Sequence, residues 1–132
     1  MRAPPTHLLY LHGFRSSPKS FKAQRLQAWL QTHRPAVRWW CPQLPLSPRE
    51  AWQLMLEGIT GWPAETSAVL GSSLGGFYAT AVAEHTGWPA LVMNPAIDPA
   101  RDLRKHIGEQ TQFHDPSQRF FFRPEFIGEL EA

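Results

Sequence analysis

The sequence predicts an α/β fold, a parallel β-sheet covered by helices on both faces. Three observations carry the prediction. Four short apolar runs, Leu8–Leu11, Val37–Trp40, Ser67–Leu70 and Ala90–Met93, recur along the chain. A stretch of helical periodicity separates each from the next, and the links between them are short, which is the pattern of parallel strands joined by right-handed crossovers. A length of 132 residues suits one domain, residues 1–132, with one buried core.

Leu8-Leu9-Tyr10-Leu11 is continuously apolar and is closed by His12-Gly13, as expected of a central strand buried on both faces. Ser17-Pro18 pairs a capping residue with proline at the first helical position. Ala23, Leu26, Trp29 and Leu30 follow at helical spacing, so a helix over Pro18–Thr32 is expected to pack on the sheet. Val37–Trp40 is β-prone and is halted by Cys41-Pro42, and Pro45 and Pro48 keep the next stretch irregular. Ser47-Pro48-Arg49-Glu50 has the form of a capping box. Trp52, Met55, Leu56 and Ile59 then mark an amphipathic helix that should end near Gly58 or Gly61.

Ser67–Leu70 reads as the third strand. In the helix that begins at Leu74, residues Leu74, Phe77, Tyr78, Ala81 and Val82 share one face, while Ala79 and Ala83 add little polarity elsewhere, so it should be buried. Ala90–Met93, closed by Asn94-Pro95, is the fourth strand. Beyond Asp98, Ala100–Gly108 reads as helix, Phe113–Arg123 as a loop exposing Phe120-Phe121-Phe122, and Pro124–Glu131 as a short helix.

Composition excludes several classes. Hydrophobic residues at 42% and charged residues at 18% are globular values. The net charge is +2 with basic residues scattered along the chain, so no nucleic-acid partner is expected. Cys41 is the one cysteine, which rules out an intrachain disulfide and fits a reducing compartment. The run Leu8–Leu11 is far shorter than a signal core or the ~20 residues of a membrane span. The expectation is a soluble, cytoplasmic protein with no membrane association.

The chemistry-bearing motif is Gly71-Ser72-Ser73-Leu74-Gly75. A serine hydroxyl is a weak nucleophile, and it needs to be raised clear of the backbone, beside a base and facing donors for an oxyanion. A strand running into a sharp turn with glycine two residues before and after Ser73 meets the first need. Ser73 should then take positive φ with its Oγ exposed at the start of a helix whose N–H groups favour developing negative charge. The competing reading is a glycine-rich turn whose serines only cap the helix, or a dinucleotide loop, and the segment lacks the G-x-G start of the latter. His12-Gly13-Phe14, at the end of the first strand, supplies the second oxyanion donor, the N–H of Phe14 facing that of Leu74. An ordinary turn holding a hydrogen-bonded histidine is the alternative there.

These motifs resemble the small YqiA-like esterases of the α/β-hydrolase superfamily. The likeness rests on Leu9-Tyr10-Leu11-His12-Gly13-Phe14-Arg15-Ser16-Ser17-Pro18, on Gly71-Ser72-Ser73-Leu74-Gly75-Gly76-Phe77-Tyr78-Ala79 and on Asn94-Pro95-Ala96, and it runs from about Leu8 to Ala100. It implies a cytoplasmic hydrolase of short-chain acyl esters with Ser73 as nucleophile. Members of that family look like this sequence plus two more strand–helix units, which carry the triad acid and histidine. Those roles fall on no residue here, and the expected fold is C-terminally truncated against the family pattern. A substitute triad would need Asp98 with His106 or His114. Asp98 sits between Ile97 and Pro99, where turns favour aspartate for backbone reasons, and both histidines lie in polar surroundings that suit a surface.

Other residues point to structure more than chemistry. Cys41, ahead of Pro42 with no histidine near it in sequence, reads as a loop or buried thiol. The six histidines show no metal-ligand spacing, so neither metal nor cofactor is expected. Trp39, Trp40 and Phe120–Phe122 suit core packing before an acyl pocket. The resulting expectation is an α/β-hydrolase-like sheet in strand order 2-1-3-4, hydrolysing a small acyl ester through acyl-Ser73, weakly for want of a base. The alternative is an inactive hydrolase-derived binding or interaction domain. The outer edge at Ala90–Met93 should be shielded either by the Phe113–Glu131 tail or by a second copy in a homodimer.

Overall fold

The computed structural model of the protein describes residues 4–13, 17–93, 99–103, 108–111, 119–122 and 124–131. Strands β1 (His7–Leu11), β2 (Arg38–Trp40), β3 (Ser67–Ser72) and β4 (Ala90–Met93) alternate with helices α1 (Phe21–His33), α2 (Pro48–Gly58) and α3 (Leu74–Thr86). The strands are all parallel and lie in the order β2-β1-β3-β4, with Leu9 beside both Trp40 and Val69 and Gly71 beside Val92. Right-handed crossovers in this order put α1 on one face of the sheet and α2 and α3 on the other.

The α2/α3 face holds the core. Leu9, Leu11 and Val69 point into it from the sheet and meet Ala51 and Met55 of α2 and Tyr78, Ala79 and Val82 of α3. Each fully buried large side chain among these contributes on the order of 1.5–3 kcal/mol relative to exposure. Trp88 closes the cluster and stacks on Trp62 at 5.8 Å. Ser47 caps α2 as its sequence predicts, its Oγ accepting the Glu50 N–H at 3.2 Å with Pro48 at the first helical position.

Helix α1 departs from its expectation in where it starts and in how it packs. It starts at Phe21, not Pro18, because Ser17 and Ser20 close a turn first: the Ser17 hydroxyl accepts from the Lys19 N–H, the Ser17 carbonyl accepts from the Ser20 N–H, and Ser20 then caps the helix through Ala23. Its packing is also thin. Ala23 is its one buried residue, and Trp29 is 52% exposed, stacked on His33.

Beyond β4 the chain forms α4 (Pro99–Leu103), an antiparallel pair β5 (Gly108–Thr111) and β6 (Arg119–Phe122), and α5 (Pro124–Glu131). The short terminal helix is where its sequence placed it. The Phe120–Phe122 run is in a strand and not a loop, and Gly108 opens a strand and does not close a helix. Aromatic runs favour strands, but a strand also needs a partner, and pairing across residues 112–118 carries no local signal. Helix α5 packs on α4 and α2, with Ile127 buried against Ala100 and Leu103. It leaves the β4 edge uncovered, contrary to the expected shielding by the tail: Leu91 is 60% and Val92 36% exposed. No helix of the described residues is long and apolar enough to cross a membrane.

Candidate active site

The turn between β3 and α3 is built by close backbone approaches that only glycine permits. A Cβ on Gly75 would lie 1.9 Å from the Leu11 carbonyl oxygen and 2.7 Å from that of His12. One on Gly71 would lie 2.1 Å from the Gly75 carbonyl oxygen. The first turn of α3 can therefore press against the carboxyl end of β1 and against β3 at once, which forces the intervening residue into a tight reversal. Ser73 absorbs it with φ 59° and ψ −120°, the one positive φ outside glycine among the described residues. Such a conformation costs a non-glycine residue on the order of 1–3 kcal/mol and survives only where its surroundings over-determine it.

Two hydrogen bonds hold the reversal. The Ser73 N–H donates to the Met93 carbonyl at 3.0 Å, tying the elbow to the end of β4, and the Ser73 carbonyl accepts from Gly76 at 3.0 Å. The side chain takes no part: Ser73 is exposed and makes no capping bond. Leu74 opens α3, so its N–H is one of the first-turn donors that have no partner within the helix, at the positive end of the helix dipole. The Leu74 side chain is pinned from above, packing against Ala100, Leu103 and Ile127 of α4 and α5 as well as against the main core.

Gly13 lies directly against the serine. A Cβ there would sit 3.1 Å from the Ser73 Cβ and 3.5 Å from its Oγ. His12 is buried, and its ring is fully engaged: Nε2 accepts the Leu44 N–H at 2.9 Å, so Nδ1 carries the proton and donates to the Gly13 carbonyl at 2.9 Å. The Gln43 side-chain amide also approaches Nε2 at 3.3 Å. His12 is thus a positioning residue that ties the loop after β2 to the loop after β1; with its lone pair committed to Leu44 it is no base for Ser73. Phe14, the other expected oxyanion donor, lies outside the described residues, as do Asp98, His106 and His114.

The remaining described histidines are occupied elsewhere. His7 pairs with Thr6 and Trp62, His33 bonds the Trp29 carbonyl, and His85 sits edge-on to Trp52 in the last turn of α3. Cys41 is a half-buried thiol that burial pushes up to about 12, so it is no thiolate near neutral pH. Among the described residues no group of three or more His, Cys, Asp or Glu side chains stands together as metal ligands would. The anchoring of α5 had no signal in the sequence. Glu129 accepts from the Ser47 hydroxyl and, at 3.0 Å, from the Arg49 N–H, so a carboxylate from α5 completes the N-terminus of α2.

A four-stranded parallel sheet in this order, with a strained serine between its third strand and the following helix, is an α/β-hydrolase-type framework. The chain belongs to the uncharacterised protein family UPF0227, whose family model matches residues 7–130. Among solved structures it is similar to the alpha/beta hydrolase domain-containing protein 10 from mouse. That match has a TM-score of 0.63 at 15% identity, covering 99% of this chain and 62% of the mouse chain. At that identity the likeness speaks for the fold, and this chain spans less than two thirds of the mouse chain.

Proposed function

We propose that this chain is the nucleophile-bearing core of a serine esterase acting on short-chain carboxylic esters. The observation that carries the reading is the strained, exposed and uncapped Ser73 at the N-terminus of α3, a conformation without use in a turn that merely starts a helix. In the reaction, Ser73 Oγ attacks the ester carbonyl and its proton passes to the departing alcohol. The tetrahedral oxyanion is held by the Leu74 N–H and by a donor from the loop after Gly13, assigned to Phe14. Water then cleaves the acyl-Ser73 bond, returning the hydroxyl and releasing the acid.

A second reading has its own support: every described histidine is engaged away from Ser73, which suits a hydrolase-derived domain that binds without turning over. A serine without a base retains roughly 10³–10⁴-fold catalysis over water from oxyanion donors and binding alone. Incubation with a fluorophosphonate probe, followed by mass spectrometry, separates the two. Slow stoichiometric labelling at Ser73, absent in Ser73→Ala and accompanied by weak p-nitrophenyl butyrate hydrolysis, supports the esterase; no labelling of a folded wild-type protein supports the binding domain.

A further inference from the structure

Residues of helices α2, α3 and α5 line an open cleft of about 320 Å³ to which Ser73 does not contribute. Its walls are apolar, formed by Trp52 of α2, Phe77, Tyr78 and Ala81 of α3 and Leu130 of α5, with Arg49 and Glu129 at the rim. That size is at the lower end for small-molecule sites, about 300–1,000 Å³, and suits a molecule of one ring.

One buried polar side chain in this apolar setting has no hydrogen-bond partner among the described residues, and a rim carboxylate beside it has an oxygen to spare. Tyr78 is 5% exposed, yet its hydroxyl makes no hydrogen bond to any described residue. A buried tyrosine hydroxyl ordinarily finds a partner. Among the described residues no fully enclosed side-chain polar atom is unsatisfied, so the Tyr78 hydroxyl is reachable from outside, and the cleft is the cavity this residue lines. Glu129 spends only Oε1 on Ser47 and Arg49, leaving Oε2 without a partner among the described residues. Its carboxylate is close enough to Tyr78 to add to the burial that raises the phenol's ionisation, so the phenol stays protonated and able to donate.

We propose that this cleft is a binding site for a neutral apolar molecule carrying one hydroxyl group, a simple phenol or an alcohol of similar size. A hydroxyl both donates and accepts, matching the free carboxylate oxygen of Glu129 and the O–H of Tyr78 together. Arg49 and Glu129 stand at the rim with opposite charges that offset one another, so the cleft presents no net charge to favour a charged ligand over a neutral one. The ring or chain lies against Trp52 and Phe77. The site is independent of the reaction assigned to Ser73.

The test is titration of the full chain with p-cresol, toluene, p-toluate and 4-methylbenzylammonium, read by Trp fluorescence and by chemical-shift changes at Trp52 and Ala81. The expected result is saturable binding of p-cresol, tighter than each of the others. Tyr78→Phe should weaken p-cresol roughly five- to tenfold, the loss of one hydrogen bond, while leaving toluene unchanged. Ala81→Leu, which fills the cleft, should abolish binding of both without unfolding the protein. Ser73→Ala should bind as the wild type does. Failure of p-cresol to bind at millimolar concentration would overturn the site. Equal affinity for p-cresol in wild type and Tyr78→Phe, or tighter binding of the ammonium, would overturn the hydroxyl assignment.

Discussion

The two faces of the central sheet are built to different standards. Under α2 and α3, the side chains of Leu9, Leu11 and Val69 are fully enclosed, and the helices answer them with Met55, Tyr78, Ala79 and Val82. On the other face Tyr10 is buried and stacks on Trp39, but α1 fully buries only Ala23 and leaves Leu26 and Leu30 half-buried, Phe21 and Trp29 stand in solvent, and the row Tyr10, Leu70, Leu91 runs outward to an open edge. The difference teaches where the chain concentrates its free energy. The face that holds the elbow helix is the one packed to core density, so the strain at Ser73 is held by the best-supported part of the molecule.

The largest expected effect lies where the two faces meet the elbow. Gly75→Ala would drive a methyl group to 1.9 Å from the Leu11 carbonyl, with backbone on both sides and no flexible side chain to yield. Overpacking typically costs 1–3 kcal/mol, and a rigid backbone clash belongs at or beyond the upper end, about 3 kcal/mol. Urea unfolding should show that loss, and surviving folded protein should lose labelling at Ser73. A near-neutral Gly75→Ala would mean that α3 does not press on β1.

Comparable in stability, but without the loss of labelling at Ser73, is the face comparison itself. Met55→Ala, on the packed side, should cost about 2–5 kcal/mol. Trp29→Ala, removing a larger side chain from the thin side, should cost under about 1 kcal/mol because that ring is half in water already. Equal losses in a shared denaturant series would erase the distinction between the faces.

A smaller effect tests how α5 is latched to the packed side. Partial burial pushes the Glu129 carboxyl up, but the Ser47 hydroxyl, the Arg49 N–H and the Arg49 charge outweigh it and leave the group below its ordinary 4.5. A carboxylate lowered in the folded state contributes stability above its unfolded value, and that contribution is lost as pH falls through the folded value. Acid titration from pH 6 to 3 should therefore loosen α5 in the wild type. Glu129→Gln should start looser and show a flatter response, read by hydrogen exchange at α5. Identical pH profiles would remove the carboxylate from the latch.

How much of this was legible follows from what is local. The four strands, the Ser47 cap of α2 and the elbow at Gly71–Gly75 are each specified by a few contiguous residues, and the structure has them where the sequence puts them. The start of α1 differs from the sequence expectation because Ser17 and Ser20 are both competent caps, and the choice between them is made by a turn. The strand at Phe120–Phe122 and the Glu129 latch rest on partners far along the chain, about which a local pattern is silent. The engagement of His12 by Leu44 belongs to the same class. A histidine before glycine reads alike whether it is a turn residue or a cross-loop tie, and only the approach of the loop after β2 decides it.

The smallest effect on stability, and the sharpest test of the open face, is at the β4 edge. Leu91 is mostly exposed, so Leu91→Lys removes few contacts and should change unfolding free energy by less than about 0.5 kcal/mol. Its effect should appear in association instead. An apolar strand with unpaired backbone groups is a template for another strand, and lysine at such an edge blocks pairing by making a second copy bring like charge into register. Sedimentation of the wild type over a range of concentrations is expected to show dimer formation, with Leu91→Lys monomeric throughout and Trp29→Ala still dimerising. The pairing surface would then be the strand edge and not the apolar side chains of α1. If Leu91→Lys dimerises as the wild type does while Trp29→Ala does not, the thin face and its helix mediate contact. If neither variant nor the wild type associates, the homodimer is wrong and the edge is held apart by the charges and twist it already has.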